Sequence, residues 1–275
     1  MSLKTELTEI VGSRYVLDSP DALERYSRDH SLVLSRKPNY VVQPKDADEV
    51  QRIINWANEH KVPVIPSSSG IHFNGATVPK QGGIILDLSR MNRILEIDRP
   101  NRKAKIEPGV TWEQLQTELE KQDFMAVIPL LPHSQRSVLT DYLEREVPVT
   151  SIYDFAEPLL AMEVVWPNGD RFRTGSASVP NFPNSYSQGA NPLGPGALDF
   201  FRFLQGAQGT MGVVTWANIK VEFLPKVNKV FFMPFDRVED AIEPMYRIQR
   251  LKIGSECLLL NKVNLEAILS RGWPA

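Results

Sequence analysis

A single cysteine, Cys257, excludes an internal disulfide. Only four histidines accompany it, scattered along the chain, so no Cys/His spacing would build a zinc site and no metal is expected. Charge of one sign is missing too. Lysine plus arginine (31) nearly balances aspartate plus glutamate (33), and a net charge of -2 gives no electrostatic reason to expect nucleic acid or an anionic membrane as partner. No stretch approaches the roughly 20 apolar residues that a bilayer crossing needs. The opening Met1–Glu6 lacks the apolar core of a signal peptide, and Met1-Ser2-Leu3 is set aside from the fold argument as an expression scar. Together these absences set the expectation of a soluble protein in a reducing, cytoplasmic setting.

What is present suits a packed globule. A hydrophobic share of 42% over 275 residues is enough for one large domain or two small ones. Tyr40-Val41-Val42 reads as a short buried strand ending at Pro44, followed by a helix capped by Asp46 with Glu49 at the capping-box position. Val50, Ile53, Ile54 and Ala57 recur at helical spacing, and Val62–Ile65 starts a second strand, giving a strand-helix-strand unit that reads as parallel. Ile84–Leu88 is a third strand. Ile94–Asp98 and Lys103–Glu107 form a hairpin around Pro100-Asn101. Thr111 opens a helix with Trp112, Leu115 and Leu119 on its apolar face. Met162–Trp166 and Asp170–Thr174 flank Pro167-Asn168-Gly169, where Asn-Gly is expected to supply positive backbone angles to a tight hairpin. After a Gly/Pro/Asn/Ser-rich stretch, 176–196, come a short helix near Leu198–Leu204 and a long strand, Val213–Leu224. Beyond Val227, the run Val230–Phe235 reads as a strand and Val238–Leu251 as a helix. Fewer than 50 residues remain there, too few for a second domain to bury enough surface alone.

The segment richest in chemistry is Ile65-Pro66-Ser67-Ser68-Ser69-Gly70-Ile71-His72-Phe73-Asn74-Gly75-Ala76, a loop of small residues directly after a strand. Small residues let backbone N–H groups converge on an anion, with serine hydroxyls as further donors. The same composition also makes an ordinary solvated turn, and the loop alone leaves both readings open. No Gly-Lys-Ser/Thr follows, and no Gly-x-Gly-x-x-Gly with an acidic residue beyond it, so kinase and nicotinamide-dehydrogenase readings lose support.

The order of several blocks carries more. Pro63–Pro66 with its Ser/Gly loop, then Gly83–Ile94, then Glu107-Pro108-Gly109-Val110-Thr111-Trp112, resembles the nucleotide-binding opening of FAD-linked oxidases of the vanillyl-alcohol oxidase and p-cresol methylhydroxylase type. Ser137-Val138, Leu143-Glu144-Arg145, Met162–Val165, Asn168-Gly169-Asp170 and Arg173-Thr174-Gly175 resemble the alkylphenol-oxidising branch. Gln208–Thr215 resembles the family segment that lines the flavin as it enters a strand. The Gly-Gly-Asn signature usual in the glycolate and D-lactate dehydrogenase branch is absent.

The resemblance implies an α+β, two-subdomain FAD-binding fold over residues 39–225, preceded by a helical segment (1–38) and followed by the beginning of an incomplete cap, or substrate, domain (226–275). It implies FAD as cofactor, cradled by Pro66, Ser67, Ser68, Ser69, Gly70, Ile71, His72, Asn74 and Gly75, with Pro132, Ser134, Ser137, Thr140, Gly209, Gly212, Val213 and Val214 completing the site. It implies hydride transfer from a substrate C–H to the flavin. Alkylphenols lead as substrates and 2-hydroxy acids follow; a second polypeptide could supply the cap or accept electrons.

There are departures. Where the branch has a glycine- and tyrosine-rich stretch, this chain has Glu146–Tyr153, with Thr140-Asp141 at the preceding turn. Some members of the wider superfamily attach FAD through a histidine in the opening loop; His72 sits one residue out of that register, and a surface or backbone-bonded histidine is the other reading. His133 reads either as a group beside the flavin ring or as a loop histidine facing water. Glu144-Arg145 is either a pocket-ordering pair or an exposed one of little weight. Trp56, Trp112, Trp166 and Trp216 read as core. No catalytic residue is identified. A stand-alone flavin or electron-relay module without a substrate pocket, and an assembly role without cofactor, are the alternatives to an oxidoreductase.

Overall fold

The computed structural model describes residues 2–129, 132–144, 158–179, 189, 191–193, 198–251, 253–254 and 256–270. The chain forms two compact units, one comprising residues 1–146 and 158–225, the other 147–157 and 226–275. The expectations for Arg145 and for 146–153 lie outside the described residues.

The first unit contains two sheets. In the smaller, β1 (Val16–Leu17), β2 (Tyr40–Val42), β3 (Val64–Ser67) and β4 (Ile84–Asp87) lie in the order β1-β2-β4-β3. β2 and β3 both run parallel to β4, so the strand-helix-strand unit is parallel with β4 inserted between its strands. All four residues of β4 are buried, as expected of a central parallel strand covered on both faces. The helix α1 (Leu3–Val11) is capped by the Ser2 hydroxyl, which corrects the exclusion of the first three residues. A short helix, α2 (Pro20–Arg25), follows β1.

Between β2 and β3 runs α3 (Ala47–His60). The Asp46 carboxylate accepts from Glu49 N at 2.9 Å, whereas the Glu49 carboxylate reaches Lys45 N, one residue before the capping-box position. Such a cap contributes about 1 kcal/mol. Val50, Ile53, Ile54 and Trp56 are buried against Leu7, Val42, Ile84 and Leu86, each side chain contributing about 1.5–3 kcal/mol.

The larger sheet has the order β5-β6-β10-β8-β9, with β7 pairing the far end of β10. Its strands are β5 (Ile94–Asp98), β6 (Lys103–Ile106), β7 (Phe124–Ala126), β8 (Leu159–Val165), β9 (Arg171–Arg173) and β10 (Val213–Phe223). Helices α4 (Trp112–Glu120) and α5 (Val138–Glu144) join one core with it, in which Leu115, Leu119, Val138 and Leu139 pack with Ala104, Ile106 and Ala217. Val165 and Val213 enter the other core, with α3 and β4, and so join the two sheets.

The β8–β9 turn departs from expectation in detail. Gly169 N donates to Trp166 O and only Gly169 takes a positive φ, 88°, so Pro167-Asn168 make an ordinary turn and the glycine alone supplies the left-handed step. In β10 a register shift between Val214 and Trp216 sets Thr215 and Trp216 together over Glu163. Trp216 is therefore not core: the Lys105 ammonium lies 3.8 Å from its ring centroid. Trp56 and Trp112 are buried and Trp166 packs partly buried against the core, as read from the sequence.

The second unit has two described helices, α6 (Val238–Arg250) and α7 (Lys262–Leu269). Residues 226–236 form no strand, contrary to the reading of Val230–Phe235: apolar β-formers make a strand only where another edge pairs with them. Among this unit's described residues only Ala241 is buried.

Candidate functional site

The serine loop leaves the end of β3 and is stitched to the start of α5. The Ser68 and Thr140 hydroxyls bond each other, and Ser137 N donates to Ser69 Oγ at 3.0 Å. Ser137 Oγ donates to Pro108 O at 2.6 Å and accepts from Thr140 N at 3.2 Å, so this fully buried hydroxyl caps α5 while holding the turn before α4. Thr140-Asp141 therefore belong to a helix, with both side chains buried, rather than to a turn.

A second brace comes from the N-terminal segment. The Asp29 carboxylate accepts from Gly75 N at 2.8 Å and from Ser31 N at 2.9 Å, while His30 N donates to His72 O at 2.9 Å. Gly75 has φ +74°, and a Cβ there would lie 2.4 Å from Val33 Cγ2, so the close approach of this strap requires glycine.

His72 is buried at 4% exposure, with Nε2 3.2 Å from Ser67 Oγ. That overturns the surface or backbone-bonded reading. Burial, and then the nearby Arg136 guanidinium, push its pKa down from 6.5 to about 4, so the ring is neutral at physiological pH. Arg136 escaped the sequence reading. Its buried side chain stands 2.7 Å from Asp141 through Nε, as an ion pair rather than an aligned hydrogen bond, and 2.5 Å from Glu144 through Nη2. Trp112 Nε1 donates to the other Asp141 oxygen at 2.6 Å and Asn74 Nδ2 to Glu144 at 3.0 Å. Glu144 is thus ordered by Arg136 and Asn74.

Two hollows adjoin this framework and share Ser67, His72 and Thr77. One, of about 100 Å³, is walled by Leu88, Leu139, Leu143, Leu204, Val213 and Val214. Of the expected site residues it gathers Pro66, Ser67, Ser68, His72, Thr140, Gly209, Gly212, Val213 and Val214. The other, of about 260 Å³, is polar and gathers Ser67, Ser69, Gly70 and His72 beside Arg25, Tyr26, Arg28 and Asp87, four residues absent from the sequence-based set. Gly70, at φ +73°, has no atom within 4 Å of where a Cβ would stand, so the loop faces open space there.

Ile71, Asn74, Gly75, Pro132, Ser134 and Ser137 line neither hollow. Asn74, Gly75 and Ser137 brace the loop instead. Ser134 lies in a turn closed by Arg136 N on His133 O, and its own O is taken by Glu113 N, while Pro132 precedes that turn. His133 is exposed, its Nδ1 accepting from Gln135 N at 3.2 Å, and it lines neither hollow. Gly209 and Gly212 line the apolar hollow and are also tightly packed: a Cβ on Gly209 would lie 3.0 Å from the Pro66 side chain, and one on Gly212 2.7 Å from Val165 O.

The chemistry of the two hollows fits FAD. An apolar slot beside a polar, hydroxyl-lined hollow, joined at a small-residue turn, matches a ligand with flat rings and a charged diphosphate linker. Among the described residues no cluster of His, Cys, Asp and Glu could hold a metal ion, and no helix is long and apolar enough to cross a membrane.

Residues 38–175 match the family model described as FAD binding domain. The glycolate oxidase subunit GlcD of Bacillus subtilis is 28% identical over 260 residues, 91% of this chain and 51% of that protein. The 4-cresol dehydrogenase [hydroxylating] flavoprotein subunit of Pseudomonas putida is 28% identical over 251 residues, 90% of this chain and 47% of that one. A crystal structure of p-cresol methylhydroxylase with substrate bound superposes with a TM-score of 0.70 at 29% identity, over 82% of this chain and 43% of the other. The chain thus spans about half the length of the curated relatives it matches. A protein named for glycolate and one named for 4-cresol resemble it at the same identity.

Proposed function

Because the chain belongs to the FAD-linked oxidases of the vanillyl-alcohol oxidase and p-cresol methylhydroxylase type, we propose that it is the flavin-carrying part of an FAD-dependent oxidoreductase. The observation that carries this is the pairing of an apolar and a polar hollow across Ser67 and His72, within the stretch that matches the FAD-binding family. When bound, the flavin supplies acceptance of a hydride from a substrate C–H at its N5. The chain's own part is binding and exclusion of water. Ser67, Ser69 and Gly70 offer the diphosphate a turn with open space, and Leu139, Val213 and Val214 wall the ring side. His72, neutral and held against Ser67, keeps a charged group out of the hinge between the two.

The substrate belongs to the proposal as a 4-alkylphenol or a 2-hydroxy acid, the two classes represented among the relatives' names. Residues 226–275 are proposed to begin a substrate-covering domain completed by further chain or by a second polypeptide, since its described residues bury only Ala241. A cytoplasmic setting is part of the proposal and rests on the single cysteine. A stand-alone flavin or electron-relay module is the second reading, favoured by the same scarcity of buried side chains among the described residues beyond 225.

The test is an absorbance spectrum of the purified chain before and after FAD is added to the deflavinated protein. A flavin spectrum that stays with the protein through gel filtration, and that acid releases as FAD, is the expected result. A colourless protein that takes up no FAD would overturn the proposal and leave an assembly role.

A further inference from the structure

The loop from Ser67 to Gly75 contains no cation: its one titratable residue, His72, is held neutral. The nearest buried cation, Arg136, is engaged by Asp141 and Glu144. A diphosphate settled on this loop would meet hydroxyls and backbone amides but no compensating charge, which desolvation penalises.

The polar hollow provides that charge from elsewhere in the chain. Arg25, at the last turn of α2, and Arg28 just beyond it line the same hollow as Ser69 and Gly70. Arg25 is exposed, and its side chain makes no hydrogen bond or ion pair among the described residues. Arg28 pairs with Glu24 at 2.5 Å, with both side chains well exposed, an arrangement of small net worth that a stronger anion can displace. The hollow also contains a carboxylate, Asp87, but its oxygens are occupied: Tyr26 Oη donates at 2.6 Å, Gln43 Nε2 at 2.7 Å and Ser89 N at 3.0 Å. The Tyr26 bond in addition anchors the end of α2 to the end of β4, fixing the two arginines at the hollow's edge.

We propose that the polar hollow is a diphosphate site in which Arg25, assisted by Arg28, neutralises the anion that the serine loop holds. The proposal rests on the FAD reading and extends it, making the N-terminal segment part of the cofactor site.

Fluorescence titration of the deflavinated chain with FAD and with riboflavin, and competition by ADP, test it. The parent is expected to bind FAD more tightly than riboflavin, with ADP competing. R25Q/R28Q should weaken FAD by about tenfold or more, as loss of charge-assisted bonds implies, while riboflavin affinity holds and R25K restores most of the FAD affinity. Added KCl should weaken FAD binding more steeply in the parent than in the double variant. A double variant that binds FAD as tightly as the parent, or that loses riboflavin and FAD alike, would overturn the proposal. If the parent bound ADP through these arginines yet took up no FAD, the anion site would stand and the flavin reading would fall.

Discussion

His72 shows how one buried side chain ties the site to the stability of the fold. Its ordinary pKa of 6.5 applies to the unfolded chain, and burial with Arg136 nearby lowers it to about 4 in the native state. Between those values the unfolded chain binds a proton that the native chain refuses, so stability falls as pH drops from 6.5 to about 4. The loss over that window is at most roughly 3 kcal/mol, since each tenfold difference in proton affinity between the two states is worth about 1.4 kcal/mol. H72Q should remove that part of the slope. Urea midpoints for parent and variant at several pH values would show it, and equal slopes in both would mean that the native ring does take up the proton. Gly70 gives the complementary case, because its positive φ penalises any side chain while the space beyond is open. In G70L the strain should cost apo stability only about 1–2 kcal/mol, but the leucine would project into the hollow and abolish FAD retention. If G70L retains FAD as well as the parent does, the cradle lies elsewhere.

At the scale of elements, the start of α5 and the entry to β10 hold the serine loop in place. S137A removes a fully buried hydroxyl that donates to Pro108 O and accepts from Thr140 N. Leaving those groups unpaired should lower apo stability by about 1–3 kcal/mol, visible as a fall in Tm without flavin present. G212V should be more damaging. Its φ of +147° and a Cβ 2.7 Å from Val165 O together imply a loss of about 2–5 kcal/mol. The variant should therefore unfold early even as apoprotein, and an unchanged apo Tm would mean that the β8 backbone yields to the added side chain. These elements also mark where sequence reading stops. The α3 cap, its apolar face and the Pro167–Gly169 turn were legible because the residues that decide them are neighbours in the chain. The insertion of β4 between β2 and β3 was not, because strand order depends on pairings tens of residues apart. The same separation hid Arg25 and Arg28: nothing in Glu24-Arg25-Tyr26-Ser27-Arg28 signals a hollow until Tyr26 meets Asp87, 61 residues away. Arg136 was equally silent among polar neighbours, and Val230–Phe235 misled because apolar β-formers announce burial without naming a partner.

On the scale of the whole molecule, the two units differ in what they can do alone. Residues 1–146 and 158–225 contain two hydrophobic cores joined through Val165 and Val213, and both hollows lie among them. In the other unit Phe231 is 80% exposed, Phe232 78%, Ile242 62% and Leu269 70%, with only Ala241 buried among the described residues. Apolar side chains left in water contribute nothing to stability, and a substrate site built from them would not be held in one geometry. Hydride transfer requires the reacting carbon to be kept within about 3.5 Å of its acceptor, in surroundings that exclude water. The lone chain loaded with FAD should therefore react slowly or not at all with substrate, while its photoreduced flavin is reoxidised readily by an artificial acceptor. Anaerobic bleaching with 4-alkylphenols and with 2-hydroxy acids measures the first, and stopped-flow reoxidation the second. Rapid bleaching by either class would mean that this chain already forms a complete substrate pocket, and the class that bleaches would be its substrate.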